Sequence, residues 1–163
     1  MNTRSLAVAM LLGAVSAVGA AELELKRIDP PTLNKHPAYT QVTTVKGDMR
    51  LIFIAGQVDR AVDYQPGNNE CRHPDMRGQY IGAMDNIEKA LAAAGATWAN
   101  VVSIRRYTVD MQGYLNVVMD RDKPPPAYWQ PGAAPPSTLV EVVRLSEPCQ
   151  LLEHEVMAIV ASD

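Results

Sequence analysis

Residues 78–111 read GQYIGAMDNIEKALAAAGATWANVVSIRRYTVDM, and the hydrophobic period changes inside that stretch. Tyr80, Met84, Ile87, Leu91 and Ala94 recur at spacings of 4, 3, 4 and 3, which places them on one face of a helix. Gly95 stands where a helix ends in a left-handed residue. Upstream, Pro74 and Asp75 sit where helix starts favour a proline and an acidic group. From Val101 to Val109 the pattern becomes β-branched and aromatic, with Ile104, Tyr107 and Val109, and predicts a strand. A helix feeding a strand through a short turn calls for a sheet with a helical layer on it. The flanking segments say how many strands that sheet has.

Towards the N-terminus, Leu23 to Ile28 is weakly strand-like and is ended by Asp29-Pro30-Pro31, since neither proline can donate to a ladder. Tyr39 to Val45 alternates with period two, Lys46-Gly47-Asp48 is a turn, and Leu51 to Ala55 is a short apolar run. The last two strands are predicted to pair as a hairpin, with Gly56 closing the second. Residues 59–74 form a polar loop containing Pro66-Gly67-Asn68-Asn69. Towards the C-terminus, Gln112 to Met119 predicts a short helix stopped by Lys123-Pro124-Pro125-Pro126, and Gln130 to Pro136 is a loop. Thr138 to Leu145 and Leu151 to Val160 are two further strands, turned through Ser146-Glu147-Pro148. The order β-β-β-α-β-α-β-β makes an α+β sandwich of two layers, a mixed sheet with both helices on one face.

The chain has 163 residues, 47% hydrophobic and 20% charged, which is one globular domain's worth and not the composition of a disordered or fibrous protein. Arg4, the apolar run from Ser5 to Val15 and Val18-Gly19-Ala20 match a signal peptide cleaved near Ala20/Ala21. Residues 1–20 are thus expected to be removed, leaving residues 21–163 as one domain, periplasmic or secreted, with no membrane attachment afterwards. Loss of Arg4 takes the formal charge from 15 − 18 = −3 to 14 − 18 = −4. No basic surplus is left to meet a phosphate backbone, so nucleic acid is not expected as a partner. In an oxidising compartment Cys71 and Cys149 either form one disulfide or remain two unrelated thiols. His36, His73 and His154 lack metal-ligand spacing, so no metal is expected.

Several segments, in this order, resemble the Rid family (reactive intermediate deaminases, YjgF-like). Pro37-Ala38-Tyr39-Thr40-Gln41 is similar to its Gly-Pro-Tyr-Ser-Gln motif, and Ile54-Ala55-Gly56-Gln57 to its Ser-Gly-Gln strand end. Asn86-Ile87-Glu88 through Ala94-Gly95-Ala96, then Asn100-Val101-Val102 through Asp110-Met111, resemble its first helix and the strand that follows. Pro135-Pro136-Ser137-Thr138-Leu139-Val140-Glu141-Val142 resembles the Pro-Ala-Arg-Ser-x-Val-Glu-Val signature, and Glu153-His154-Glu155 with Ala158 the terminal Glu-Ile-Glu-x-x-Ala strand. Each fragment is unspecific alone; their order and spacing from Tyr39 to Val160 are specific.

The resemblance implies a chorismate-mutase-like fold, further helix around Ala127 to Trp129, no cofactor, and a homotrimer with a small-molecule cleft between subunits. In deaminating members an arginine fork grips the substrate carboxylate and a glutamate positions the hydrolytic water. Glu153 aligns with that glutamate and is the candidate catalytic residue. Tyr39, Ala55, Gly56, Ser137, Asn116 and Trp129 are the candidate ligand-binding residues. Two of them depart from the family: Ser137 occupies the arginine position, and Ala55 replaces a serine. Serine brings neither charge nor fork, a loss on the order of a few kcal/mol of carboxylate binding. Arg105, Arg106 and Arg144 lie near in sequence, and strand alternation allows at most one of the adjacent pair onto the covered face. The expected function is therefore an exported small-metabolite-binding member whose 2-imino acid deaminase activity is altered or absent. The alternatives are an enamine/imine deaminase with another anchor, and a protein-binding or chaperone-like module.

Overall fold

The computed structural model describes residues 22–36, 38–60, 65 and 70–162. The expected signal peptide and the Pro66–Asn69 part of the polar loop lie outside them. The elements are β1 (Glu24–Ile28), β2 (Val42–Lys46), β3 (Met49–Gln57), α1 (Met76–Ala93), a 3-10 turn (Trp98–Asn100), β4 (Val101–Thr108), α2 (Met111–Val118), β5 (Ser137–Glu141) and β6 (Leu152–Ala161). This is the expected order, β-β-β-α-β-α-β-β. The main sheet runs β3-β6-β4-β5. Its β4–β5 pair is parallel, and β6 is antiparallel to both β3 and β4. Both helices pack on one side of this mixed sheet, giving the α+β, chorismate-mutase-like sandwich.

Local chemistry starts each helix. The Asp75 carboxylate accepts from the Gly78 amide at 2.9 Å, and Asp110 does the same for Gly113 at 2.9 Å, each satisfying an orphan donor of a first turn. Helix α1 ends at the C-cap Ala94, followed by Gly95 at φ 71°. The periodic face read from the sequence is the buried one: Met84, Ile87 and Leu91 are inaccessible against Ile52, Ile54, Val101, Ile104, Leu152 and Val156. Each such side chain contributes roughly 1.5–3 kcal/mol of burial free energy.

Three expectations are corrected. Strands β2 and β3 do not pair as a hairpin; β2 pairs with β1 from Glu24↔Lys46 to Ile28↔Val42, and β3 pairs with β6. The Val/Thr strand suits a small, half-exposed ribbon with β1. The apolar run Leu51 to Ala55 instead needs a long partner that helps bury Ile52 and Ile54, and β6 supplies one. Second, Ala127 to Trp129 is not helical. Pro124, Pro125, Pro126 and Pro131 surround it and remove the amide donors a helix would use. Third, Tyr39 lies before β2, in an isolated bridge with His36, and β5 stops at Glu141, short of Leu145.

Cys71 and Cys149 are joined by a disulfide, with Cα atoms 5.7 Å apart. It ties the segment leading into α1 to the segment leading into β6. The buried Gln79 reinforces the seam: its Nε2 donates to the carbonyls of His73 (3.0 Å) and Cys149 (2.9 Å), and its Oε1 accepts from the Leu151 amide at 2.8 Å. Among the described residues no helix is long and apolar enough to cross a membrane.

Candidate functional site

Alternation along β4 decides which arginine turns inward. Ile104 and Thr108 are buried on the helical side, so Arg106 between them faces the same way and Arg105 faces the opposite surface, where it pairs with Glu155. The parallel register sets Ser137 beside Ile104 and Leu139 beside Arg106. The third nearby arginine, Arg144, is exposed and lines a separate depression with Leu145, Ser146 and Pro148.

Arg106, Ser137 and Leu139 form the floor of a cavity of about 880 Å³. Tyr80 of α1 and Tyr114 of α2 form one wall; Tyr128 and Trp129 form another, with Tyr39 at the rim. Tyr39 is held by its neighbour Thr40, whose amide donates to the Ala134 carbonyl at 3.1 Å, and by stacking on His36 with centroids 4.4 Å apart. The aromatic walls continue inward, since Trp98 lies 5.0 Å from Tyr128 and 5.2 Å from Trp129, centroid to centroid. The Arg106 guanidinium lies 6.0 Å from the Trp129 ring centroid, at the outer reach of a cation–π contact.

Behind the cavity, the fully buried His154 and the Tyr114 hydroxyl are 3.1 Å apart at Nε2. Burial, and secondarily the charge of Arg106, push the His154 pKa well below its usual 6.5, so the imidazole is neutral at pH 7. Burial likewise raises the Tyr114 and Tyr80 hydroxyl pKa values. Cross-strand pairing puts His154 opposite Arg106, so a neutral ring leaves the guanidinium as the charge on this part of the floor.

A second cluster occupies the other face of the sheet. Glu153 alternates with the buried Leu152 and His154 and is half-buried on the open side, across from Tyr107 of β4. Gly56, within the register shift between Ile54 and Gln57 of β3, lies under it; a Cβ there would fall on the Glu153 carboxylate, so only glycine allows this approach. Ala55 beside it is exposed. Beyond the end of β3 the chain turns to α1 instead, where the fully buried Asp59 lies against Gly82 and accepts from Arg72 Nε (2.9 Å) and from the amide and Nδ1 of His73 (2.7 and 2.9 Å).

The sequence-predicted residues are thus divided by the sheet. Tyr39, Ser137 and Trp129 meet at the cavity; Ala55, Gly56 and Glu153 meet on the open face. Asn116 belongs to neither group. It lies on α2 in a shallow depression with Gln112 and Asp120, accepting from Gln112 Nε2 at 2.8 Å. Sequence reasoning left Arg106 unresolved, although its position two residues after the apolar Ile104 carried the signal. Asp59 and Gln79 were missed, because one carboxylate in a polar loop and one amide on a helix look like solvated groups. Among the described residues no cluster of His, Cys, Asp or Glu is arranged to hold a metal.

The family model for Endoribonuclease L-PSP matches residues 32–160. The RutC family protein YjgH of Escherichia coli (strain K12) is 30% identical over 69 residues, 42% of this chain and 48% of that protein; the match spans about half of that relative's length. A solved protein of the conserved Rid family from Yersinia pestis superposes with a TM-score of 0.58 at 24% identity, covering 83% of this chain and 98% of its own. A YjgF family member from Neisseria meningitidis gives 0.52 at 24%, covering 86% and 97%. At these identities the two structures speak for the fold alone.

Proposed function

The chain belongs to the Endoribonuclease L-PSP family, the YjgF/Rid family of its structural neighbours, and on that premise we propose that it is an exported, homotrimeric small-metabolite-binding protein without 2-imino acid deaminase activity. The observation that carries the reading is the division of the site residues. A cavity beside Ser137 and a glutamate over Gly56 lie on opposite faces of one sheet, so a ligand touching both must sit between two copies of the chain. The open face offers the means of assembly, with Leu51 52%, Phe53 70% and Val140 42% exposed, an apolar surface suited to burial against another copy.

Loss of deaminase activity follows from the residue at position 137. Ser137 cannot hold a carboxylate by a charged fork, and water positioned by Glu153 is useful only if the substrate carbon is held beside it. RNA is disfavoured by the net charge of −3, which supplies no counterion-releasing surface. The disulfide favours export, because such bonds persist in oxidising compartments.

Light scattering is expected to give three times the chain mass, and a strict monomer at micromolar concentration contradicts the intersubunit cleft. Ammonia release is measured on imines generated by an amino-acid oxidase. The expected rate at high protein equals the uncatalysed one; a protein-dependent rate that Glu153→Gln abolishes establishes the alternative, a deaminase with a different anchor.

A further inference from the structure

Arg106 stands in an unusual position for a charged residue. It lies on the covered face of the sheet, its Nε is buried, and neither that nitrogen nor the rest of the guanidinium has a hydrogen-bond or carboxylate partner among the described residues. A buried guanidinium nitrogen without an acceptor costs free energy. Such a group in a cavity is explained when an incoming ligand supplies the acceptor. The remaining lining supplies no anion to do so: no aspartate or glutamate borders the cavity.

Two other donors share this condition. The Tyr128 hydroxyl and Trp129 Nε1 are buried and unpartnered, and both residues line the same space. Their rings, with Tyr80, present aromatic walls facing the floor on which Arg106 lies. The cavity therefore combines the Arg106 fork on its floor, the exposed Arg121 also on its lining, additional hydrogen-bond donors and flat apolar walls. Its volume of about 880 Å³ falls within the ~300–1,000 Å³ of sites for organic ligands, more than a two- or three-carbon acid fills.

Resting on the small-metabolite reading above, we propose that Arg106 is the ligand anchor of this protein and that the ligand is an aromatic carboxylate, its anion on the guanidinium and its ring against the Tyr128–Trp129 wall. The anchor reaches the cavity from β4, the strand beside the one whose arginine position is occupied by Ser137. A serine at position 137 leaves room above the floor for the ring, so the substitution on β5 and the arginine on β4 act together. No bond is made or broken; the inference concerns recognition only.

Calorimetric titration of the assembled protein tests this with four probes: indole-3-acetate, its uncharged amide, acetate and 2-oxobutyrate. Indole-3-acetate is expected to bind at least tenfold more tightly than the amide and than either aliphatic acid. Arg106→Gln is expected to bring it down to the affinity of the amide while leaving the amide itself unchanged. Arg106→Lys, which keeps the charge but not the fork, falls between, and serves if the glutamine variant does not fold. Trp129→Leu is expected to weaken both indole probes at least tenfold and the aliphatic acids little. If the aliphatic acids bind as tightly as indole-3-acetate, or if the Arg106 variants bind it as wild type does, this inference is overturned and the metabolite-binding reading stands. If no probe binds wild type, both fall.

Discussion

Replacing Cys71 and Cys149 together by serine is expected to lower the stability of the protein by about 4 kcal/mol. The bridge spans a sequence separation of 78 residues, and the entropy that closing a loop of that size removes from the unfolded chain is worth roughly that figure. For a chain of this length each kcal/mol moves the melting temperature by roughly 2–4 °C, so a drop on the order of 10 °C follows. The comparison is a thermal melt of the oxidised protein against the double variant, with reductant added to wild type as a control. The native site is expected to survive, because Gln79 continues to join the His73 and Cys149 carbonyls. A change below about 1 kcal/mol contradicts the assignment of the bridge as a principal clamp between α1 and β6.

Asp59→Ala is the second large effect, expected at roughly 3 kcal/mol. The carboxylate is fully buried while its partners Arg72 and His73 keep side-chain exposures of 36% and 45%. Water can therefore re-solvate part of what the substitution strands, which places the loss at the low end for a broken buried pair. Asp59→Asn keeps the shape and one acceptor oxygen, and its effect is expected to be smaller. Urea denaturation reads the difference as a shift in midpoint at unchanged slope. Because Asp59 follows Gly56 closely along the chain, the alanine variant is also expected to loosen the backbone beneath Glu153.

Much of the fold was legible where period and punctuation agreed. Helix α1 announced itself through Tyr80, Met84, Ile87 and Leu91, and its ends through Asp75 and Gly95. Strand pairing was less legible, because a turn at Gly47 between two strands looks the same whether or not they pair. The choice between partners depended on β6, which lies about a hundred residues further on. The helix expected at Ala127 to Trp129 failed for a local reason already written in the sequence, the prolines on both sides. At the site, resemblance named residues but not their grouping. Ser137 lies on the side away from Glu153 because strand parity and register put it there, and Tyr39 reaches the same side through the tie of Thr40 to Ala134. Arg106 could be restricted to one of two faces by alternation, but its empty surroundings depend on Tyr128 and Trp129, which come from a loop without periodicity.

The structure of crystals grown with indole-3-acetate tests the central claim most directly, that a cleft completed by a second copy binds a carboxylate through Arg106. The account predicts the carboxylate on the Arg106 guanidinium of one copy, the indole ring against Trp129, and Glu153 of the partner subunit facing the same cleft. A ligand enclosed by one chain alone, or seated with its carboxylate away from Arg106 while every Glu153 faces bulk water, contradicts it.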